Sequence, residues 1–315
     1  MIIVAGEALI DLIVGPDGRV EAVPGGGPFN VARTMARLGA SVGFLGRLSS
    51  DAFGRMLRDR LVADGVGLEL VVETTDPTTL AVAALDAGGG ATYQFYTAGT
   101  SAAGLRPIDL PDVGRPVALH VGTLGLVLEP LADAIETLVA RVPADVLVMV
   151  DINARPVAIT DRAGWVARLD RVLARADVVS GSLDDLAIIH PDRAPEAAAA
   201  DVLALGPRVV LLTDGPRHAR IVTRRGTTAL PPPRVEVVDT VGAGDAFGGS
   251  FLASWFEIGA GAGAGGDGPT DDLDDDAALV AATERALVVA SLTTTRRGAD
   301  PPTAAELAAG TPSNR

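Results

Sequence analysis

The stretch Asp239-Thr240-Val241-Gly242-Ala243-Gly244-Asp245-Ala246-Phe247 places bare glycines directly before a carboxylate. Ahead of it, residues 234–238 alternate in the manner of a short Val-rich strand, after the stiff Pro231-Pro232-Pro233. Behind it, Phe247, Phe251, Leu252 and Trp255 recur near helical spacing. The glycines are therefore expected where a strand turns into a helix. At such a turn the first N–H groups lack partners, and the positive end of the helix dipole attracts an anion. Gly242 and Gly244 carry no side chain to block that anion and can take positive φ. Asp245 falls in the first helical turn, where the dipole favours its ionised form and leaves it able to accept a proton. A plain Gly-rich turn capped by an aspartate would contain the same Gly-Ala-Gly-Asp, so these residues by themselves leave both readings open.

Composition narrows the chemistry. The chain has 315 residues, nearly half of them apolar, which is enough for a large core and excludes general disorder. There is no cysteine, and with it go disulfides, thiolate metal sites and thiol nucleophiles. All 26 basic residues are arginine, a bias for which genomic base composition is a sufficient source. Without lysine there is no P-loop ending in Gly-Lys-Ser/Thr, no Schiff base and no lysine-dependent protein-kinase site. A phosphate would have to be held by amides, arginine and metal. A net charge of −14 argues against a nucleic-acid backbone as partner. No apolar run approaches a membrane span, and the N-terminus opens on a strand-like run without a basic region, so a cytoplasmic protein with no membrane partner is expected.

The elements that must position the chemistry follow in chain order. Residues 2–6 read as a buried strand, and Asp11 then interrupts apolar sequence, either as a turn residue or as a ligand for hydroxyls. Pro24-Gly25-Gly26-Gly27-Pro28-Phe29-Asn30 opens a helix bearing Val31, Met35 and Leu38, where Asn30 offers a donor and an acceptor to a hydroxyl pair. Ser50 or Asp51 is expected to cap the next helix. Residues 12–23 and 71–97 alternate as strands of a small sheet, with 86–90 as a hairpin turn. From residue 117 onward, strands and helices alternate in the doubly wound manner. His120, at a strand end, reads as a packed or hydrogen-bonded histidine, and three scattered histidines argue against a metal cluster. Asp151-Ile152-Asn153-Ala154-Arg155 falls at the carboxyl end of a strand, where open sheets bind ligands, and Arg155 offers a planar fork for phosphate. Residues 259–276 read as a solvated insert, and the last five residues are expected to fray.

The nine-residue string from Asp239 resembles the signature of the ribokinase-like (PfkB) carbohydrate kinases, and the likeness extends over nearly the whole chain. Gly-Glu-x-x-x-Asp at residues 6–11, the glycines and Asn30 at 25–30, Asp-x-Asn-x-Arg with Trp165, and Arg296 to Pro302 resemble further family segments. The resemblance implies one ribokinase-like domain over residues 1–310: a doubly wound, mostly parallel sheet with helices on both faces and a small β-sheet lid at 12–23 and 71–97. Asp245 would be the catalytic base, and the amides of Gly242, Ala243 and Gly244 the anion hole. Asp11, Gly26, Gly27, Asn30, Arg155 and Asp245 would bind the sugar. ATP would lie along Ser182, Thr213, Gly215, Gly242 and Gly244, with Mg2+ reached by Asp185 through water and K+ near Asp239. Ser182 and Asp185 stand where the family has Asn and Glu, His218 replaces a glycine, and Thr97 stands where many fructokinase-like members carry Arg. The resemblance is strongest to the fructokinase branch and implies a homodimer formed through the lid. Ribose, 2-keto-3-deoxygluconate or a nucleoside are the alternative substrates, and a catalytically weak sugar- or nucleotide-binding homologue is the rival from another class.

Overall fold

The computed structural model describes residues 1–85, 91–257 and 271–309. Its frame is an eight-stranded sheet in the order β14-β13-β12-β11-β10-β9-β1-β4. The strands are β1 (Ile2–Ala5), β4 (Val42–Leu45), β9 (Ala118–Gly122), β10 (Leu147–Asp151), β11 (Val178–Ser182), β12 (Val209–Thr213), β13 (Ala219–Thr223) and β14 (Gly226–Leu230). All pairings from β4 to β12 are parallel, and β13 and β14 are added antiparallel. The parallel strands are apolar throughout because both of their faces are covered. Period-2 alternation sorts their side chains into two cores. Ile3, Ala5, Val148, Val150, Val210 and Leu212 join one cluster, and Ile2, Val4, Leu147, Met149, Val209 and Leu211 the other.

Helices α3 (Leu131–Arg141), α4 (Arg162–Leu173), α5 (Leu183–Ile189) and α6 (Pro195–Leu205) cover the first face. The second face is covered by α1 (Gly27–Arg37), α2 (Ala52–Ala63), α7 (Ala243–Glu257) and α8 (Asp276–Thr294). α8 is long and apolar enough to cross a membrane by length and composition, but it packs along α7 as a core helix, with Leu279, Ala282 and Ala286 buried. Asp51, not Ser50, caps α2: its Oδ1 accepts the Gly54 N–H at 2.7 Å.

A separate four-stranded sheet runs β3-β2-β7-β8. It comprises β2 (Leu9–Val14), β3 (Val20–Gly25), β7 (Leu80–Leu85) and β8 (Ala91–Tyr96), so the small sheet expected outside the main alternation is present. Residues 71–74 do not belong to it. β6 (Val72–Thr74) pairs in parallel with β5 (Arg47–Ser49) as a two-stranded ladder of its own. The expected turn at 86–90, most of the insert at 259–276 and the last five residues lie outside the described residues. Of the insert, residues 271–274 form a 3-10 turn and Asp275 caps α8.

His120 turns out to be packed without a hydrogen bond. Its neighbours Leu119 and Val121 face the first core, so the imidazole points at α7, where a Cβ on Gly248 would sit 3.9 Å from Nε2. Neither ring nitrogen has a partner among the described residues, and burial lowers the pKa from 6.5 to about 4. An unfolded chain therefore takes up a proton below pH 6.5 that the folded chain refuses until about pH 4. Stability contributed by keeping His120 neutral is lost as pH falls through that window. Relative to a His120→Leu variant, the natural protein should lose about 2 kcal/mol between pH 7.5 and pH 5. Denaturant unfolding of both proteins across this range checks it, and parallel curves would show that His120 takes up a proton equally in both states.

Candidate active site

Chain order reverses along the sheet at β1. From β1 the sheet grows one way through β4 and the other way through β9 to β12. In open α/β sheets the crevice beyond the carboxyl ends at such a switch point is where ligands bind. Five segments meet there: residues 6–7 after β1, the turn at Thr123 after β9, residues 151–155 at the end of β10, and the first turns of α1 and α7.

At their centre stands Asp245, the third residue of α7, buried to 7 % exposure. Its Oδ2 accepts a hydrogen bond from Asn30 Nδ2 at 2.8 Å and its Oδ1 one from Asn153 Nδ2 at 3.3 Å. Asn153 also donates to Thr123 Oγ1 at 3.4 Å. Thr123 (φ 55) and Asn153 (φ 34) are the non-glycine residues of positive φ among those described, and they end adjacent strands of the same crevice. Strain of this kind persists only where the surroundings hold it, and it gathers at functional sites. First-turn position favours the ionised form of Asp245, but burial dominates and raises its pKa to about 6, while Asn30 and the charge of Arg155 act the other way.

Three more carboxyls share this field. Glu7 is fully buried and accepts the N–H groups of Gly27 at 3.1 Å and Gly125 at 3.0 Å, tying the start of α1 to the turn after β9. Burial drives its pKa up to about 8 despite those bonds, and the charge of Asp245 adds to the rise. Asp11, on β2, is raised to about 6, first by burial and then by Asp245. Asp151 is pushed well above the usual carboxylate range by burial, with Asp245 and Asp185 adding to it, although it accepts a hydrogen bond from Ser180 Oγ at 3.0 Å. Arg155 faces this group from the rim. It is exposed, and among the described residues it bonds only to the carbonyls of Asn153 and Ala154.

The glycine turn differs from expectation in its approach. Residues 234–238 are not a strand: three prolines without N–H groups end the ladder at Leu230, and the chain proceeds as an open loop. Val238 and Asp239 instead donate to the Thr294 carbonyl at the end of α8. Gly242 takes φ 76, and a Cβ there would lie 2.4 Å from Ala299 Cβ. Gly244 meets nothing within 4 Å, so its face of the turn is open to an incoming group. Asp239 braces the turn: Oδ1 accepts Val241 N–H at 3.0 Å and Oδ2 accepts Gly298 N–H at 2.8 Å.

The glycines before α1 serve protein contacts. A Cβ on Gly25 would lie 2.1 Å from Asp11 Oδ2, one on Gly26 2.8 Å from the Glu7 carbonyl, and one on Gly27 2.3 Å from Thr123 Oγ1. These glycines let Asp11 and the strained Thr123 come against the backbone. Ser182 and Asp185 form a capping box at the start of α5, with Ser182 Oγ and N both 2.7 Å from Asp185 Oδ2. Asp185 Oδ1 meanwhile accepts Ala154 N–H at 2.8 Å and so holds the 151–155 loop. Thr213 ends β12, and Gly215 (φ 51) supplies the turn into β13, where His218 Nε2 accepts from Arg220 Nε. Thr123 and Arg33 were not singled out from sequence, and Glu7, Asp151 and Asn153 stood inside quoted motifs without a role of their own. Asn153 carried a signal, since asparagine tolerates positive φ better than other side chains.

Among the described residues, no three of His, Asp and Glu come together as a ready-made metal cage. An ion carried in on a phosphate ligand, as Mg2+ usually is, needs no such cage.

The chain resembles known proteins over most of its length. A sequence model of the pfkB family carbohydrate kinases matches residues 1–306. A fructokinase of Rhizobium leguminosarum bv. trifolii is 36% identical over 260 residues, covering 81% of this chain and 79% of that protein. A fructokinase of Klebsiella pneumoniae is 34% identical, covering 79% of this chain and 82% of that protein. Among solved structures, a fructokinase from Xylella fastidiosa with bound ATP superposes with a TM-score of 0.88 at 29% identity, over 98% of this chain and 97% of that one.

Proposed function

The chain belongs to the pfkB family of carbohydrate kinases, and we propose that it transfers the γ-phosphate of MgATP to a terminal hydroxyl of fructose. The observation that carries the chemistry is a buried carboxylate, Asp245, held by two amides directly behind a glycine turn whose Gly244 face is open. The named activity of the fructokinase relatives carries the choice of sugar. Residues 1–310 act as one kinase domain, with the small sheet as a lid over the sugar.

In this reading Asp245 takes the proton of the attacking hydroxyl, oriented by Asn30 and Asn153. Asp11 and Asn30 bind sugar hydroxyls, alongside the Gly26-Gly27 backbone. The N–H groups at Gly242 and Gly244 would face the transferred phosphoryl oxygens, whereas the expected third donor, the Ala243 N–H, is turned inward to the Thr240 carbonyl at 3.2 Å; such positioning and electrostatics supply most of the catalysis in phosphoryl transfer. Arg155 adds a free guanidinium at the rim. Ser182, Thr213 and Gly215 lie along the nucleotide. Mg2+, when bound, neutralises charge on the phosphates, with Asp185 reaching its hydration shell through the lone pairs left by its internal bonds. Asp239, whose oxygens each keep a lone pair, is the residue we assign to K+. The edge strand β8 exposes Tyr93 and Tyr96, which are about half accessible, and suits a homodimer formed through the lid. Sedimentation of the purified protein tests that assembly, a monomer at micromolar concentration counting against it.

A coupled ADP-release screen over ketohexoses, aldoses, sugar acids and ribosides tests the substrate. Fructose should give the highest kcat/KM, and a clear preference for another class would replace it. Asp245→Asn should lower kcat by about 10²–10⁴ while leaving ATP affinity within a few-fold. The kcat/KM of the natural enzyme should fall below about pH 6, where Asp245 becomes protonated. Retention of more than about a tenth of kcat by the variant would remove Asp245 from the role of base. Asp11→Ala or Asn30→Ala should raise the sugar KM far more than the ATP KM, each removing about 1–3 kcal/mol of buried hydrogen bonding. Equal rises in steady-state titrations would mean that these side chains serve the fold.

A further inference from the structure

Arg33 lies one turn beyond Asn30 on α1, with its side chain 3 % exposed. Its Nε donates to Asp64 Oδ2 at 2.6 Å, and its Nη1 donates to the Ala299 carbonyl at 2.9 Å and to Asn30 Oδ1 at 3.4 Å. The guanidinium also lies over the Phe29 ring, 5.4 Å from its centroid. Asp64, at the end of α2, is itself buried and receives Arg37 at 2.9 Å and Arg60 at 3.0 Å as well. Arg33 is thus fixed from three directions, by α2, by the 298–300 segment and by an aromatic face.

A buried ion pair is weak evidence for stability, because apolar residues of the same volume often do as well. What apolar residues cannot do is choose the orientation of an amide. Asn30 offers an oxygen and an NH2 group that nearly superpose on rotation. With Oδ1 on the Arg33 guanidinium, Nδ2 must face Asp245. The flipped amide would set an oxygen against the Asp245 carboxylate and N–H groups against a cation. Both contacts would be repulsive in a site of low polarity.

We propose that Arg33 is a positioning residue for phosphoryl transfer: anchored by Asp64 and the Ala299 carbonyl, it locks the Asn30 amide so that Nδ2 orients the carboxylate of Asp245. This rests on the reading of Asp245 as base. Lysine at position 33 keeps the charge and can reach Asp64, but a single ammonium lacks the planar fork that serves all three acceptors at once. Asn30 is then free to rotate, and its hydrogen bond to Asp245 weakens.

Arg33→Lys should lower kcat about 10–100-fold, the scale on which a misplaced catalytic group costs rate, and leave the ATP KM within about threefold. Losing a hydrogen bond to its ionised form raises the pKa of Asp245, so the acid limb of the pH profile should move up by about 0.5–1 pH unit. The other charges facing Asp245 are Glu7, Asp11, Asp151 and Arg155, and none of them is altered. In an Asn30→Ala background the same change at Arg33 should cost less than about threefold, because the group it acts through is gone. A kcat within about twofold of the natural enzyme with an unmoved acid limb, or a loss undiminished in the Asn30→Ala background, would overturn the proposal. If Arg33→Lys does not fold, Asp64→Asn loosens the anchor alone and should shift both readouts in the same direction by a smaller factor; unchanged readouts there overturn it equally. Asp245→Asn separates the two readings. An active Asp245→Asn enzyme removes the base and Arg33's role with it, whereas an inactive one beside an unaffected Arg33→Lys removes only the role of Arg33.

Discussion

Everything in the crevice is arranged around one unfavourable act, the burial of the Asp245 carboxyl against the first turn of α7. Burial alone raises its pKa, and the neighbouring carboxyls Glu7, Asp11 and Asp151 are raised by Asp245 in turn. Two amides and one exposed arginine offset part of this. A crevice that holds several carboxyls near their titration points favours a ligand that brings its own positive ion.

Glycine makes the geometry possible, and in two different ways. Gly25, Gly26, Gly27 and Gly242 let parts of the protein touch: a carboxylate, a backbone carbonyl, a hydroxyl and Ala299 respectively occupy the space where their Cβ atoms would be. Gly244 alone in these two motifs opens onto nothing. The first group therefore sets distances between parts of the site, and the last leaves open space beside them. A glycine-rich motif read as a ligand cradle is largely a joint that brings Asp11, Thr123 and residue 299 to their places.

The parallel sheet was legible because its strands are short apolar runs alternating with helical patterns, and the place of Asp245 in a first helical turn because the glycine turn runs there into apolar residues at helical spacing. Residues 234–238 misled, since alternation of valines is the same whether or not a neighbouring strand exists to accept their hydrogen bonds. Residues 71–74 do form a strand, but pairing partners are set by tertiary contacts, and β6 finds β5 rather than the small sheet. The contacts of Glu7 and Asn153, and the anchors that fix Arg33, span 20 to 266 positions, which no local pattern carries. The resemblance places Ser182 along the nucleotide and Asp185 at the hydration shell of Mg2+. Their spacing, a serine three residues before an acid, is equally that of a capping box, and the capping box is what forms.

The absence of lysine gives the two arginines of the site their meaning. Guanidinium is planar, permanently charged and weakly hydrated, so it can be buried against a ring and still bond in several directions, as Arg33 does. An ammonium there would strand acceptors. Arg155 is the converse: exposed, facing Asp11, Asp151 and Asp245, bonded within the described residues only to neighbouring carbonyls, and so with most of its donors free. A cation whose donors are satisfied inside the fold can only position other groups, and one whose donors are free can bind. In a chain whose every cation is arginine, the division between structural and ligand-binding charge is therefore made by burial and bonding, not by residue type.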